Sequence, residues 1–154
     1  MEGSLSSSMR ILSGVHRTRC TGSLIASGQP ILISTQANLS AILSGQLNRI
    51  HRGSRRSFIG GGDHNEIGPT TYSAFLGGRQ YNRIEFNPPS SAILGGNLNL
   101  VRSIAAWATV LGGVESVAGA LFAIAGGHGA KAEHSGSIVL ADGPPRFIRL
   151  RKSE

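Results

Sequence analysis

Ser91-Ala92-Ile93-Leu94-Gly95-Gly96-Asn97-Leu98-Asn99-Leu100-Val101 restates Ser40-Ala41-Ile42-Leu43-Ser44-Gly45-Gln46-Leu47-Asn48-Arg49-Ile50 almost position for position. The order is a small residue, an apolar pair, glycine, then Asn-x-Ile/Val. Ser73-Ala74-Phe75-Leu76-Gly77-Gly78 with Asn82-Arg83-Ile84 is a third copy, and Ser57-Phe58-Ile59-Gly60-Gly61 with Asn65-Glu66-Ile67 a fourth. Weaker copies follow around Val110-Leu111, Ile124-Ala125 and Ile138-Val139-Leu140, and Ser13-Gly14 and Ser27-Gly28 mark two degenerate ones. Aligned on the last glycine of each pair, the copies fall at 14, 28, 45, 61, 78, 96, 113, 127 and 143. About nine coils with a period of roughly 16 residues are expected.

So short a period excludes helix-turn-helix repeats and suits one coil of a parallel β-solenoid, or β-roll. The apolar runs are brief, rich in β-branched and aromatic residues, and end at glycine, as strands ending in turns do. Asn48, Asn65, Asn82 and Asn99 recur near the turn, where stacked amides form a ladder. The expected organisation is an N-terminal arm over 1–8, an all-β roll over 9–143 and a basic cap or arm over 144–154. The coil of Asn87-Pro88-Pro89 is expected to carry an insertion.

Consecutive strand residues point to opposite faces. Ile42 and Leu43, Phe75 and Leu76, Ile93 and Leu94, and Val110 and Leu111, with Ile124 and Val139, therefore supply both the core of the roll and a second apolar face. A lone solenoid would leave that face as a long apolar stripe, and strands apolar on both sides are normally covered on both. Sister chains around an axis are the expected cover, as a homotrimer. The run Ser103–Ala130 is long and apolar enough to raise a membrane span. Its glycine pairs keep the beat of the repeat, however, and Glu115 would sit near mid-bilayer. No membrane insertion is expected.

The 154 residues include 22 Gly and carry a net charge of +7, with only 15% charged residues. That composition fits neither a charge-rich disordered chain nor a helical bundle. One cysteine, Cys20, allows no intrachain disulfide and no cysteine-pair zinc site. Met1-Glu2-Gly3-Ser4 lacks the order of a secretory signal, so folding in a cytoplasm is expected.

Charge is +6 over residues 1–56, −2 over 57–143 and +3 over 144–154. Arg49, Arg52, Arg55 and Arg56 crowd one turn, and Arg146, Arg149, Arg151 and Lys152 follow Pro144-Pro145. These eight are the expected partner-binding residues, since arginine makes forked contacts to carboxylate and phosphate. Single-strand binders interleave aromatics with basic residues, and aromatics here are 5%. An acidic protein surface or a surface polysaccharide is therefore expected before nucleic acid.

The pattern of small residue, apolar pair, Gly and Asn-x-apolar resembles the head repeats of trimeric autotransporter adhesins of the YadA type. It also resembles repeats of phage tail fibres and other virion proteins. The resemblance spans about residues 40–143 and implies a left-handed parallel β-roll packed as a tight trimer. Unlike the adhesins, this protein is expected to lack a signal, a heptad stalk and a membrane anchor. The resemblance therefore implies a virion part, such as a decoration, cement or fibre component, assembled in a host cytoplasm. The alternative is an adhesin-like tip at a cell surface, binding glycan or receptor through Tyr72, Arg79, Tyr81 and Arg83.

No catalytic, cofactor-binding or metal-binding residues are assigned. Gly60-Gly61-Gly62-Asp63-His64 reads as a repeat turn, because Gly77-Gly78-Arg79-Gln80-Tyr81 occupies the same place in the next coil. Gly126-Gly127-His128-Gly129-Ala130-Lys131 lacks the ending of a phosphate loop, and no nucleophile elbow is present. His128 and His134 have no acidic or cysteine partner at ligand spacing. Trp107 reads as packing rather than as a sugar platform. An acyltransferase on a hexapeptide β-helix would need a six-residue period and a histidine base, and neither is evident.

Overall fold

The computed structural model describes residues 20–143 together with the strand Arg10–Ile11. Each repeat becomes one coil with two short strands. The first strand carries the small-apolar pair and the second carries the residue pair after asparagine. Leu24–Ile25, Ala41–Ile42, Phe58–Ile59, Phe75–Leu76, Ala92–Ile93, Thr109–Val114, Ile124–His128 and Ile138–Asp142 stack, after Arg10–Ile11, into a nine-stranded sheet. Leu32–Ile33, Arg49–Ile50, Glu66–Ile67, Arg83–Ile84, Leu100–Val101, Val117–Ala118 and Lys131–Ala132 form a seven-stranded second sheet. Every pairing is parallel, between neighbouring coils. The chain is an all-β parallel solenoid.

Two apolar columns fill the interior. Ile25, Ile42, Ile59, Leu76, Ile93 and Val110 line the first sheet, and Ile33, Ile50, Ile67, Ile84 and Val101 the second, all fully buried. Each is worth about 1.5–3 kcal/mol by area. β-Branched isoleucine suits this use, because its rotamer in an extended chain is nearly fixed.

The period is 17 residues, not 16: Ala41 pairs with Phe58, Phe75 with Ala92, and Ala92 with Thr109. The glycine steps of 16 and 18 residues on either side of Gly61 and Gly78 come from a slip of one position in two coils, whereas the 14-residue step from Gly113 to Gly127 is a shorter coil. Gly60 and Gly77 occupy the outward place held by Leu43 and Leu94. The glycine column therefore runs Gly28, Gly45, Gly62, Gly96 and Gly113, with Arg79 in the remaining place. At Gly45 the reason for glycine is steric, since φ is 101° and a Cβ would overlap the Gly62 carbonyl of the next coil. Arg79 manages with φ at 69°, nearer the left-handed well open to L-residues.

About seven two-strand turns lie within the described residues, rather than nine. Ser13-Gly14 falls outside them, and the last strand of the first sheet, Ile138–Asp142, has no described counterpart in the second. Asn87-Pro88-Pro89 is not an insertion. Phe75 and Ala92 remain 17 apart in register, and Pro88 takes its place in a buried column of small residues with Cys20, Ala37, Ser54, Thr71 and Ala105. Near the C-terminal end the coils shorten. Thr109 and Ile124 are 15 apart, while Ile124 and Ile138, like Val117 and Lys131, are 14 apart.

The corners were not visible in the sequence. Leu39, Arg56, Ser73, Ser90, Trp107 and Phe122 share one corner column, and Leu47, His64, Tyr81, Leu98 and Glu115 another, all with φ between 52° and 58°. Left-handed backbone is costly for such residues. It is held here by bonds to the preceding coil, as from Trp107 N–H to the Pro89 carbonyl and from Tyr81 N–H to the Asp63 carbonyl, both 3.0 Å.

Candidate partner-binding surfaces

Polar ladders hold the coils in register and so decide what faces outward. Asn48, Asn65, Asn82 and Asn99 lie one above another, fully buried or nearly so. Asn65 Nδ2 donates to the carbonyl oxygens of Gly61 (2.9 Å) and Arg79 (2.8 Å), and its Oδ1 accepts the Asn82 N–H at 3.1 Å. The column continues as Ser116, whose N–H donates to Asn99 Oδ1 at 2.9 Å, and then as Ala130. Serine makes a second ladder that the sequence reading missed: the Ser40 and Ser91 hydroxyls donate to Ser54 and Ala105 carbonyls at 2.8 and 2.9 Å. The signal was the serine that opens each copy.

With the ladders inside, the first sheet turns outward a face that is uncharged from Leu24 to Leu140, with Asp142 exposed at its end. In each coil two residues flank the buried one: Leu24 with Ala26, Ala41 with Leu43, Phe58 with Gly60, Phe75 with Gly77, Ala92 with Leu94, Thr109 with Leu111, and Ile124 with Gly126. One member of each pair is large and the other small. Only the last pair, Ile138 with Leu140, is large on both sides. Phe75 is 41% exposed and Leu94 52%. Phe58 and Phe75 stack with ring centroids 5.5 Å apart. On the adjoining corner Trp107 stacks on Phe122 at 5.2 Å. Between Leu111 and Leu140, Gly112, Gly113, Gly126, Gly127, Ala141 and Asp142 complete a groove of about 410 Å³.

Of the residues expected from the sequence at the core or at a trimer contact, Ile42, Leu76, Ile93 and Val110 point inward. Leu43, Phe75, Leu94 and Leu111 point outward. Ile124 is half-buried on the outer face, and Val139 is half-buried in the inner column.

The second sheet differs in kind. Its outer column reads Leu32, Arg49, Glu66, Arg83, Leu100, Val117, Lys131. Arg83 Nε lies 3.5 Å from Glu66 Oε2. His51 Nε2 lies 2.6 Å from Glu66 Oε1, without alignment for a hydrogen bond. Arg49 therefore belongs to this strand face, while Arg52, Arg55 and Arg56 lie exposed along the turn that follows. Arg52 Nε donates to Gln36 Oε1 at 3.1 Å. Arg146, Arg149, Arg151 and Lys152 lie outside the described residues.

A third surface joins the two sheets. Gln46, Asp63, Gln80, Asn97 and Val114 are linked coil to coil by single parallel bridges. Gly62, Asp63, Arg79, Gln80, Asn97 and Val114 line a groove of about 390 Å³ there. The His64 ring stacks on Tyr81 beside it, at 4.7 Å, and Asn97 Oδ1 is buried without a partner. Tyr72 lies one corner away from this groove, and Arg83 on the second sheet.

Cys20 is buried, its Sγ donating to the Ser34 carbonyl at 2.8 Å, and burial pushes its thiol pKa up. Among the described residues no group of three or more His, Cys, Asp or Glu is arranged to hold a metal ion. No helix there is long and apolar enough to cross a membrane. No protein-family model matches the chain, and no curated protein matches it.

Proposed function

We propose that this chain is a non-enzymatic structural protein, a left-handed β-roll that assembles as a homotrimer and attaches through basic residues to a larger particle, a virion. The observation that carries the reading is the outer face of the first sheet, uncharged from Leu24 to Leu140 and apolar there apart from Thr109. Exposed to water along its whole length, such a face is a liability. Covered by sister chains, it becomes the core of an assembly. Light scattering behind a sizing column tests this, with an expected mass near three times the 16.0 kDa of one chain. A monomer would remove the reading.

Arg52, Arg55 and Arg56 are the proposed anchor, aimed at an acidic protein surface. A poly-glutamate surface and a single-stranded oligonucleotide serve as probes. Binding to poly-glutamate that disappears in R52S/R55S/R56S supports the anchor, and equal binding by both proteins refutes it. Preference for the oligonucleotide would assign the anchor to nucleic acid instead.

The polar groove beside the His64–Tyr81 stack favours a second reading, a receptor- or glycan-binding tip at a cell surface. Aromatic faces next to amide and carboxylate groups suit sugar rings. A glycan array with wild type and Y81A tests it, and no binding by wild type would refute it.

A further inference from the structure

We infer that the first sheet's outer face is keyed to a second copy of this chain, lying parallel to it and at the same height. The inference rests on the reading of the protein as an oligomer and adds the geometry of the contact. About an axis parallel to the solenoid, one outward column of a protomer meets the other outward column of its neighbour, coil against matching coil. Phe58 and Phe75 then meet the places of Gly60 and Gly77, while Leu94 meets Ala92. Large lies against small in every coil from Leu24 to Leu111, while the place at Gly126 is already filled by Leu111 and Leu140 of its own chain.

A slip of one coil destroys the match. Leu24 would strike Leu43, Phe75 would strike Leu94, and Ala41 would lie over Gly60 with a void between them. Both errors are costly in a packed apolar contact. Phe58 does lean over its own Gly60, 3.5 Å from where a Cβ would sit. Phe75, Leu94 and Leu111 nevertheless stay 41–52% exposed, so levelling within one chain leaves the face uncovered.

The size also fits a second copy. Eight strands at about 4.8 Å spacing make the face about 35 Å tall. With a width of about 20 Å, including the Trp107–Phe122 corner, each chain offers about 700 Å², which a trimer divides between two neighbours and which is near the ~800 Å² a chain commits to a stable interface. From Leu24 to Leu140 the two outward columns carry no charge, Asp142 standing at their end, so they offer nothing to a charged partner, whereas an identical face matches them.

Cysteine cross-linking tests the register. In a Cys20→Ala background, Ala92→Cys and Leu94→Cys are combined and the protein is oxidised. Most of the chain is expected in covalent rings on a non-reducing gel, with the number of chains found by light scattering. The control pair Ala41→Cys and Leu94→Cys is three coils apart, about 14 Å, beyond disulfide reach, and should stay uncross-linked. An oligomer by mass that links only in the control, or in neither, overturns the register and leaves the oligomer standing. A monomer by mass overturns both.

Discussion

Asn82 Nδ2 donates to Asn65 Oδ1 at 3.1 Å, and Asn82 Oδ1 accepts the Asn99 N–H at the same distance. Asn82 Nδ2 also reaches the carbonyl oxygens of Gly78 (2.9 Å) and Gly96 (2.6 Å). One amide thus ties three coils together. Asn82→Ala leaves the Gly78 carbonyl and the Asn99 N–H without partners in the interior, each worth about 1–3 kcal/mol, while the Gly96 carbonyl keeps only the Gln80 N–H at 3.3 Å. A loss of about 3 kcal/mol is expected from urea midpoints. A loss below 1 kcal/mol would mean that the ladder does not hold the coils.

The glycine column gives an asymmetric pair of substitutions. Gly45→Ala must place a Cβ 2.7 Å from Asn48 Nδ2, and against the Gly62 carbonyl, at φ 101°. A loss of more than about 2 kcal/mol is expected, beyond an ordinary surface change. Arg79→Gly, two places along the same column, should change stability by less than about 1 kcal/mol. Thermal melts of both variants check this, and equal effects would refute the column.

Glu66 sits between Arg83 and His51 but remains partly open to water, as does Arg83. Such pairs contribute about 0–1 kcal/mol and fade with salt. Glu66→Gln is therefore expected to cost less than 1 kcal/mol in low salt and nothing measurable in 1 M salt. A large, salt-independent loss would show instead that the second sheet depends on this contact.

Cys20 predicts a pH dependence. Burial raises its folded-state pKa, so the unfolded thiol, with a pKa of about 8.5, ionises first. Its contribution to stability is intact at neutral pH and is lost as pH rises from the ordinary thiol range through the raised folded value. Urea midpoints from neutral to alkaline pH should fall less steeply for Cys20→Ala than for wild type. Identical slopes would refute the burial argument.

Much of the interior could be read from residue order. Ile42, Ile93 and the asparagines recur at fixed offsets because each coil must present the same groups to the next. The register slipped at Gly60 and Gly77 because glycine has two uses in this chain. In the Gly45 column a Cβ would meet the next coil's carbonyl at positive φ, and at Gly60 and Gly77 it would meet the Gly77 and Leu94 carbonyls at the place where other coils carry leucine. Residue type alone does not separate those uses. The left-handed corners gave no sign, since Leu39, Trp107 and Tyr81 are not residues that local preference puts there. Their backbone is set by bonds to the coil before. The contrast between the two outer faces was legible in Arg49, Glu66 and Arg83, which mark the second strand as the one turned to water.

The shortening of the coils after Thr109 gives the solenoid a taper. A coil of 14 residues has about 10 Å less girth than one of 17, at about 3.3 Å per residue. Arg10 and Leu24, at the other end of the first sheet, are also 14 apart. The described coils are therefore widest between Leu24 and Thr109 and narrow toward both ends, so each open edge is a smaller template for further strands than the middle coils would be.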